Sequence, residues 1–352
     1  MRYRYVHAVI VSIAAILSGV ALYVAVATST MSLEQPSQSR SVDAVATDSV
    51  TLEVGTTTIL FTGDVFLGRD VERRIHANHS LDPFAFLQAF PDRDATVINF
   101  EAAVPAVHQP TPDFGMQFSV SADLLSMLAD AGVTHAGLAN NHTYDHGRDG
   151  YQHTIESLAL HDIVSFGHPS QINQQSVTII DTPHIRIGLL GIHTLYGQPS
   201  LRSIADTYTA LAVEVDMVVA YVHWGEEYML KHNPLQRALA EQLVGLGVDL
   251  IIGHHPHVVQ GIELIDGVPV LYSLGNTIFD QYFSDDVQVG MIASLQITAD
   301  RRQVVLTPID SRRSRIAPQV MNPAAATAFL TDVAERGGED VAESVRAGVV
   351  QW

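Results

Sequence analysis

Residues 248–257 read Val-Asp-Leu-Ile-Ile-Gly-His-His-Pro-His. Val248 to Ile252 is a short apolar run, and three imidazoles follow it within four positions, His254 to His257. The stretch before it, residues 234–247, spaces its apolar residues as a helix does and closes at Gly247. A helix that closes at glycine and feeds an apolar strand is an α/β unit. Buried parallel strands read as continuous Val/Ile/Leu runs, and open α/β sheets gather their ligands beyond the carboxyl ends of such strands. The same arrangement recurs. Six apolar runs end in Asp64, Glu101, Asn141-His142, His223, His255/His257 and Asn276. Carboxylate, amide and imidazole groups brought to one sheet edge from separate strands make a metal site, with room for two ions.

Working outward, residues 123–132 form a second helix closing at glycine, and residues 133–139 lead as a strand into Asn140-Asn141-His142. Strands are expected at 58–61, 95–98, 216–222 and 268–274, and a hairpin at 177–181 and 185–192 around Pro183. Residues 289–297 and 303–308 are expected to close the sheet as antiparallel strands. Helices are expected at 150–160 and 203–211. After Pro308 the spacing predicts a helical tail, residues 323–335 and 339–349, that does not fold on its own. The expected organisation is a membrane or signal segment at 1–28, a flexible linker at 29–56, an α/β domain at 57–310 and a helical extension at 311–352.

The chain has 352 residues and 47% hydrophobic residues, enough for a large core. Its 38 acidic and 19 basic residues give −19. That balance argues against nucleic acid, which needs a basic patch. It admits a polyanion only where bound cations reverse the local sign. There is no Cys, which excludes disulfides, thiolate metal sites, Cys nucleophiles and a lipoprotein anchor. Arg2 and Arg4 precede an uncharged 20-residue stretch from Ala8 to Ala27. Such a stretch spans a ~30 Å bilayer core, and the preceding basic residues place the amino terminus in the cytoplasm. The stretch exceeds the ~7–15 residues of a signal-peptide core, so a retained single-pass anchor is expected. Ala25-Val26-Ala27 also has the form of a cleavage site, which would make the protein secreted. Either way the main domain lies outside the cytoplasm. The Ser/Thr/Gln-rich stretch from Thr28 reads as a tether.

Each motif has its own chemistry. Asp64 is a hard oxygen donor for a divalent ion, or an N-cap of the next helix. Glu101 bridges two cations, or is a solvated loop acid. Asn99 is a ligand or a turn former. Asn141 offers an amide oxygen, and His142 can protonate a leaving group because its ordinary pKa lies near neutral. Asp145 is placed to orient His142. His223 ends a strongly apolar run and needs a partner, a metal or a core acceptor. His255 and His257 flank Pro256 and can both turn toward one site, where imidazole suits Zn, Fe or Mn. Asp249, Glu263 and Asp280 are candidates to hold the ligating imidazoles. Arg69 is a candidate substrate clamp.

Six ordered segments, GDVFLGRDV, NFE, LANNHTYDHG, HWGEEY, GHHPHVVQG and YSLGNTIFDQ, resemble the CapA family of poly-γ-glutamate capsule biosynthesis proteins, relatives of calcineurin-like metallophosphoesterases. The resemblance covers about residues 57–308. It implies a four-layer α/β/β/α sandwich around one or two divalent ions, Mn, Zn or Fe. It also implies metal ligands at Asp64, Glu101, Asn141, His223, His255 and His257, with His142 as catalytic acid and His254 as a neighbour. The wider superfamily has Asp-x-His in its first motif, where this chain has Phe66. The resemblance implies a hydrolase-like protein acting on an anionic cell-surface polymer, alongside capsule synthesis or export proteins. The alternatives are a non-catalytic polymer-binding subunit and a general periplasmic phosphoesterase.

Overall fold

The computed structural model describes residues 55–352; the expected membrane or signal segment and nearly all of the linker lie outside them. The first strand is β1 (Thr57–Val65). Residues alternate sides along a strand, and β1 follows this rule. Ile59 and Phe61 enter one core and Leu60 another.

β1 pairs in parallel with β2 (Ala95–Phe100), which continues to β3 (His135–Gly137) and β4 (Val164–Phe166). On its other edge β1 is shared. Its first half pairs antiparallel with β12 (Val289–Ile297), and Asp64 and Val65 pair in parallel with β11 (Asn276–Ile278). β13 (Arg302–Asp310) and β14 (Gln319–Val320) extend this sheet beyond β12. The second sheet runs β5 (Val177–Asp181), β6 (Arg186–His193), β7 (Met217–His223), β8 (Leu250–His254), β10 (Val268–Leu271), β9 (Ile262–Ile265). The hairpin expected around Pro183 is β5–β6, and the closing antiparallel pair is β12–β13.

The two sheets face each other. Ile59, Phe61 and Val97 from the first share one core with Val219, Tyr221, Leu250 and Ile252 from the second. Helices cover both outer faces. α1 (Arg69–Ala77), α2 (Leu125–Asp130) and α3 (Gly147–Ala159) bury Val71, Ile75, Leu125 and Leu158 against the first sheet. α4 (Leu201–Ala212) and α5 (Pro234–Leu246) bury Ile204, Leu211, Leu239 and Leu243 against the second. The order is helix, sheet, sheet, helix. α5 has strong end signals: Asn233 caps it in a reciprocal capping box with Gln236, Pro234 opens it, and Gly247 ends it at φ +106°. Glycine takes that conformation without steric penalty.

The C-terminal segment corrects the sequence expectation. α6 (Pro323–Arg336) forms as expected, but residues 339–349 do not form one helix. A five-residue α7 (Ala342–Arg346) is followed by a strand, β15 (Val349–Gln351), which pairs with β13. Gly348, at φ +75°, separates them. Val333, Val345 and Val350 are fully buried in the core between the sheets, so the tail completes that core. The strand expected over 268–274 is also shorter, ending at Leu271 before the turn into β11.

Candidate metal centre

Strand register sets the site. Asp64 on β1 lies opposite Asn99 on β2, and His223 on β7 lies between His193 on β6 and His254 on β8. Every strand here points its carboxyl end to the same rim. Glu101 directly follows β2, and His255 directly follows β8. Asp64, Glu101, His223, His254, His255 and His257 are all at most 5% exposed.

Two triads of ligand-type atoms occur. Asp64, Glu101 and His223 form one; Glu101, His255 and His257 form the other; within each, the atoms lie within 4.8 Å of one another. Glu101 belongs to both. Two ligands each ~2.0–2.2 Å from one zinc-like ion lie at most ~4.4 Å apart, close to the spacing of these triads. Glu101 Oε1 lies 3.8 Å from His223 Nε2 and 3.7 Å from His257 Nε2. It is buried and has no hydrogen-bond partner, and the same holds for His255 Nδ1. Buried polar atoms normally have partners. A carboxylate oxygen and an imidazole nitrogen left bare among other donors fit a cation.

Neighbouring side chains set the orientation of these groups. Asn99 Nδ2 donates to Asp64 Oδ1 at 2.8 Å. His257 Nδ1 lies 3.0 Å from Asn276 Oδ1 and 3.1 Å from Asp64 Oδ2, so its N–H points there and Nε2 is left for the centre. Asn276 itself donates to Gln281 and to the Val287 carbonyl. Asn141 Oδ1 lies 2.7 Å from His223 Nε2. The turn Asn140-Asn141-His142 is built by Asn140, whose buried amide donates to the Phe100 carbonyl and accepts from the His142 and Thr143 amides. His255 and His257 take φ of +98° and +58°. Such backbone costs ~1–3 kcal/mol per residue and concentrates at functional sites.

His142 stands at the edge of the cluster. Its Nδ1 lies 2.7 Å from Asp145 Oδ2, and the same oxygen accepts from the Phe118 amide at 2.6 Å. The Phe118 ring stacks on the imidazole, with centroids 3.6 Å apart. One carboxylate thus fixes both the proton on His142 and the ring that sets its plane.

The electrostatics differ from residue to residue. Burial would raise the Asp64 carboxyl, but the imidazoles of His254 and His257 beside it overcome this and hold Asp64 well below the usual range. Burial, then repulsion from Asp64, Glu227 and Asp145, pushes Glu101 well above the usual range. Burial holds His223 far below its ordinary value and His255 down to about 3, each helped by a neighbouring imidazole. Neutral imidazoles are the metal-binding form.

Some sequence candidates act elsewhere. Arg69 directs its guanidinium at both oxygens of Asp280 and at the Gly115 carbonyl, so its charge is already neutralised and it does not present a free clamp. Asp280 therefore holds Arg69 rather than an imidazole. Asp249 caps the Val218 amide and pairs with Arg302, and Glu263 pairs with Arg237 and accepts from Tyr272. His254 lies 3.4 Å from Asp64 Oδ1 against the Tyr221 ring. Phe66 is fully buried and stacks on Phe118, making an apolar wall. Sequence reasoning missed Phe118, which sits in an irregular loop with no periodic signal. It also missed His193, a strand-terminal imidazole like His223, whose ring centre lies 5.7 Å from that of His223.

Residues 58–281 match the sequence model of the family described as bacterial capsule synthesis protein PGA_cap. The chain belongs to this family. Among its relatives, the PGA biosynthesis protein CapA of Bacillus subtilis is 28% identical over 277 residues, covering 73% of this chain and 72% of that protein. The capsule biosynthesis protein CapA of Bacillus anthracis is 29% identical over 248 residues, covering 64% of this chain and 60% of that protein. Among solved structures, a novel phosphatase of Mycoplasma pneumoniae is 14% identical with a TM-score of 0.44, covering 76% of this chain and 92% of that one. A hypothetical protein of Thermus thermophilus is 16% identical with a TM-score of 0.45, covering 75% of this chain and 99% of that one. Likenesses at this level carry no functional weight.

Proposed function

We propose that this protein is a metal-dependent hydrolase of the metallophosphoesterase type, acting in the synthesis, processing or export of an anionic capsule polymer such as poly-γ-glutamate. The names of the Bacillus relatives support the polymer. One observation carries the chemistry: Glu101 is shared by two ligand triads and its buried Oε1 has no hydrogen-bond partner. Two divalent ions, Mn, Zn or Fe, would be held by Asp64, Glu101, His223, His255 and His257, with Asn141 as a further oxygen donor. A bound divalent ion lowers the pKa of its water toward ~7 and offsets charge on the attacked centre.

The chain's own residues supply the rest. Asp145 accepts the Nδ1 proton of His142 in a hydrogen bond and leaves Nε2 to face the cleft, which His142 lines. A protonated His142 then donates from Nε2 to the leaving oxygen or nitrogen, a contribution of typically ~10²–10⁴-fold. Phe118 keeps the ring in the plane that this transfer needs. We also place the domain outside the cytoplasm on a single-pass anchor at residues 8–27. Among the described residues no helix is long and apolar enough to cross a membrane.

A second reading, a non-catalytic subunit that binds the polymer through its metals, is favoured by Phe66 standing where a ligand imidazole belongs. The test is elemental analysis of the purified full chain together with hydrolysis of phosphoesters and γ-linked glutamate oligomers. The hydrolase reading expects bound metal and turnover, with His142→Ala keeping the metal and losing turnover. Bound metal with no turnover of either substrate class would move the assignment to the second reading.

A further inference from the structure

Three neighbouring parallel strands end in register at histidine. His193 closes β6, His223 closes β7 and His254 closes β8, each opposite the next. Side chains alternate faces along a strand, so residues paired across neighbouring strands share a face. His193 therefore faces the same way as His223. Two of the three rings have partners in the centre: His254 lies 3.4 Å from Asp64 Oδ1, and His223 Nε2 lies 2.7 Å from Asn141 Oδ1. The proposed hydrolysis leaves His193 without a task.

Its surroundings do not treat it as a core residue. His193 is 6% exposed. Its Nδ1 lies 2.6 Å from the Pro169 carbonyl oxygen. A carbonyl only accepts, so Nδ1 carries the proton and Nε2 a lone pair. Nε2 is buried and has no hydrogen-bond partner among the described residues, whereas buried polar atoms normally have one. A core histidine satisfies both nitrogens. A metal-ligating histidine gives one N–H to a carboxylate or backbone carbonyl and leaves the other nitrogen to the ion. His193 has the second pattern. Burial also pushes its pKa down to about 4, which keeps the ring in the neutral, metal-binding form.

The spacing agrees. An imidazole nitrogen binds zinc at ~2.0–2.1 Å and its ring centre lies about 1 Å further, so two rings on one ion have centres within roughly 6 Å. The His193 and His223 centres are 5.7 Å apart. The other imidazoles of the centre are spaced alike, 4.9 Å for His223 and His255 and 5.8 Å for His255 and His257. Tyr196 braces both neighbours: its ring meets His193 edge-on at 4.7 Å, and its hydroxyl donates to the Asn141 carbonyl.

We propose that His193 is a further metal ligand, its Nε2 joining Asn141 and His223 on one ion. The inference rests on the metal centre of the proposed function and adds a donor to it.

The test is competition for Zn between a chelating dye and the full chain, native and in two variants. His193→Asn places an amide near the Nδ1 position, where it can still donate to the Pro169 carbonyl, and removes Nε2. His193→Gln brings an amide oxygen, a weaker ligand, near the Nε2 position. One Zn-binding step is expected to weaken ~10–100-fold or more in His193→Asn and less in His193→Gln, while melting in chelator stays close to native. Unchanged Zn affinity in His193→Asn overturns the proposal. If that variant does not fold, Zn-loaded crystals of the native chain decide: Nε2 bonded to an ion supports the proposal, and an ordered Zn beyond bonding range of Nε2 overturns it. Weakened Zn binding in His193→Asn with no turnover by the native chain would sink the hydrolase and support this inference. Native turnover with a Zn affinity indifferent to His193→Asn would sink this inference and leave the hydrolase standing. A native chain that holds no Zn, Mn or Fe would sink both.

Discussion

Glu101→Gln should have opposite effects on the metal-free and metal-loaded protein. The side chain is fully buried, and its ligand-type oxygen lies within 4.8 Å of that of Asp64. Two ionised carboxylates at that separation repel by about 3 kcal/mol at an effective dielectric of ~20. Burial first, and then this repulsion, push the Glu101 pKa up, so Glu101 reduces the cost by holding its proton. Glutamine has nearly the same shape and no charge. Metal-free Glu101→Gln should therefore melt above the metal-free native protein, by about 2–6 °C if each kcal/mol is worth ~2 °C in a chain of this size. The metal response should go the other way. Metal at 100 times its Kd stabilises by about 2.7 kcal/mol, or ~5 °C. The loss of even an outer partner of a metal ligand weakens affinity ~10–100-fold, and Glu101 is proposed to touch both ions. At the same metal concentration the variant should gain under ~1 °C. The assay is calorimetric melting in chelator and in Mn or Zn. A metal-free variant less stable than the native protein, or an undiminished metal shift, would refute the bridging assignment.

Three other outcomes are expected. Asp145→Asn removes the acceptor shared by His142 and Phe118, so turnover should fall ~10²-fold or more while metal content stays the same; loss of metal instead would make Asp145 a ligand support. Asn276→Ala frees His257 Nδ1 and should weaken metal affinity ~10–100-fold, read by competition with a chelating dye; unchanged affinity would remove Asn276 from the site. In the metal-free protein, stability should fall as pH drops below about 6.5. His223 and His255 stay neutral when folded, His255 down to about 3, whereas the unfolded chain binds protons from ~6.5. Each group thus costs up to about 1.4 kcal/mol per pH unit through that window. Glu101, protonated when folded and ionised when unfolded, offsets one of them, so a net fall remains. A melting temperature that is flat or rises between pH 6.5 and 5 would contradict the burial of His223 and His255 as neutral rings.

The sequence made the rim of the sheets legible because strand ends carry their chemistry in place. Asp64, Glu101, His223 and His255 each stand at or beside a strand's last residues, so the apolar run and its polar terminus are read together. What escaped depends on contacts between segments distant in sequence. Phe118 reaches His142 only because its amide and Asp145 meet across a loop, and no periodic pattern marks residues 105–117. Arg69 looked like a clamp because Asp280, 211 positions away, is invisible as its partner. Nothing local separates Asp280 from Asp249 or Glu263 as a histidine support, and the support for His257 came from an amide, Asn276. The last strand carried a signal that helical periodicity masked: Gly348 breaks the Ala-rich helix, and Val349-Val350 favours a strand.

The most direct measurement is anomalous diffraction from crystals of the protein grown with Mn. The expected result is two peaks ~3.5–4 Å apart, with Glu101 in contact with both. Well-ordered crystals with no anomalous peak among Asp64, Glu101, His223, His255 and His257 would contradict the metal centre, and with it the proposed hydrolysis.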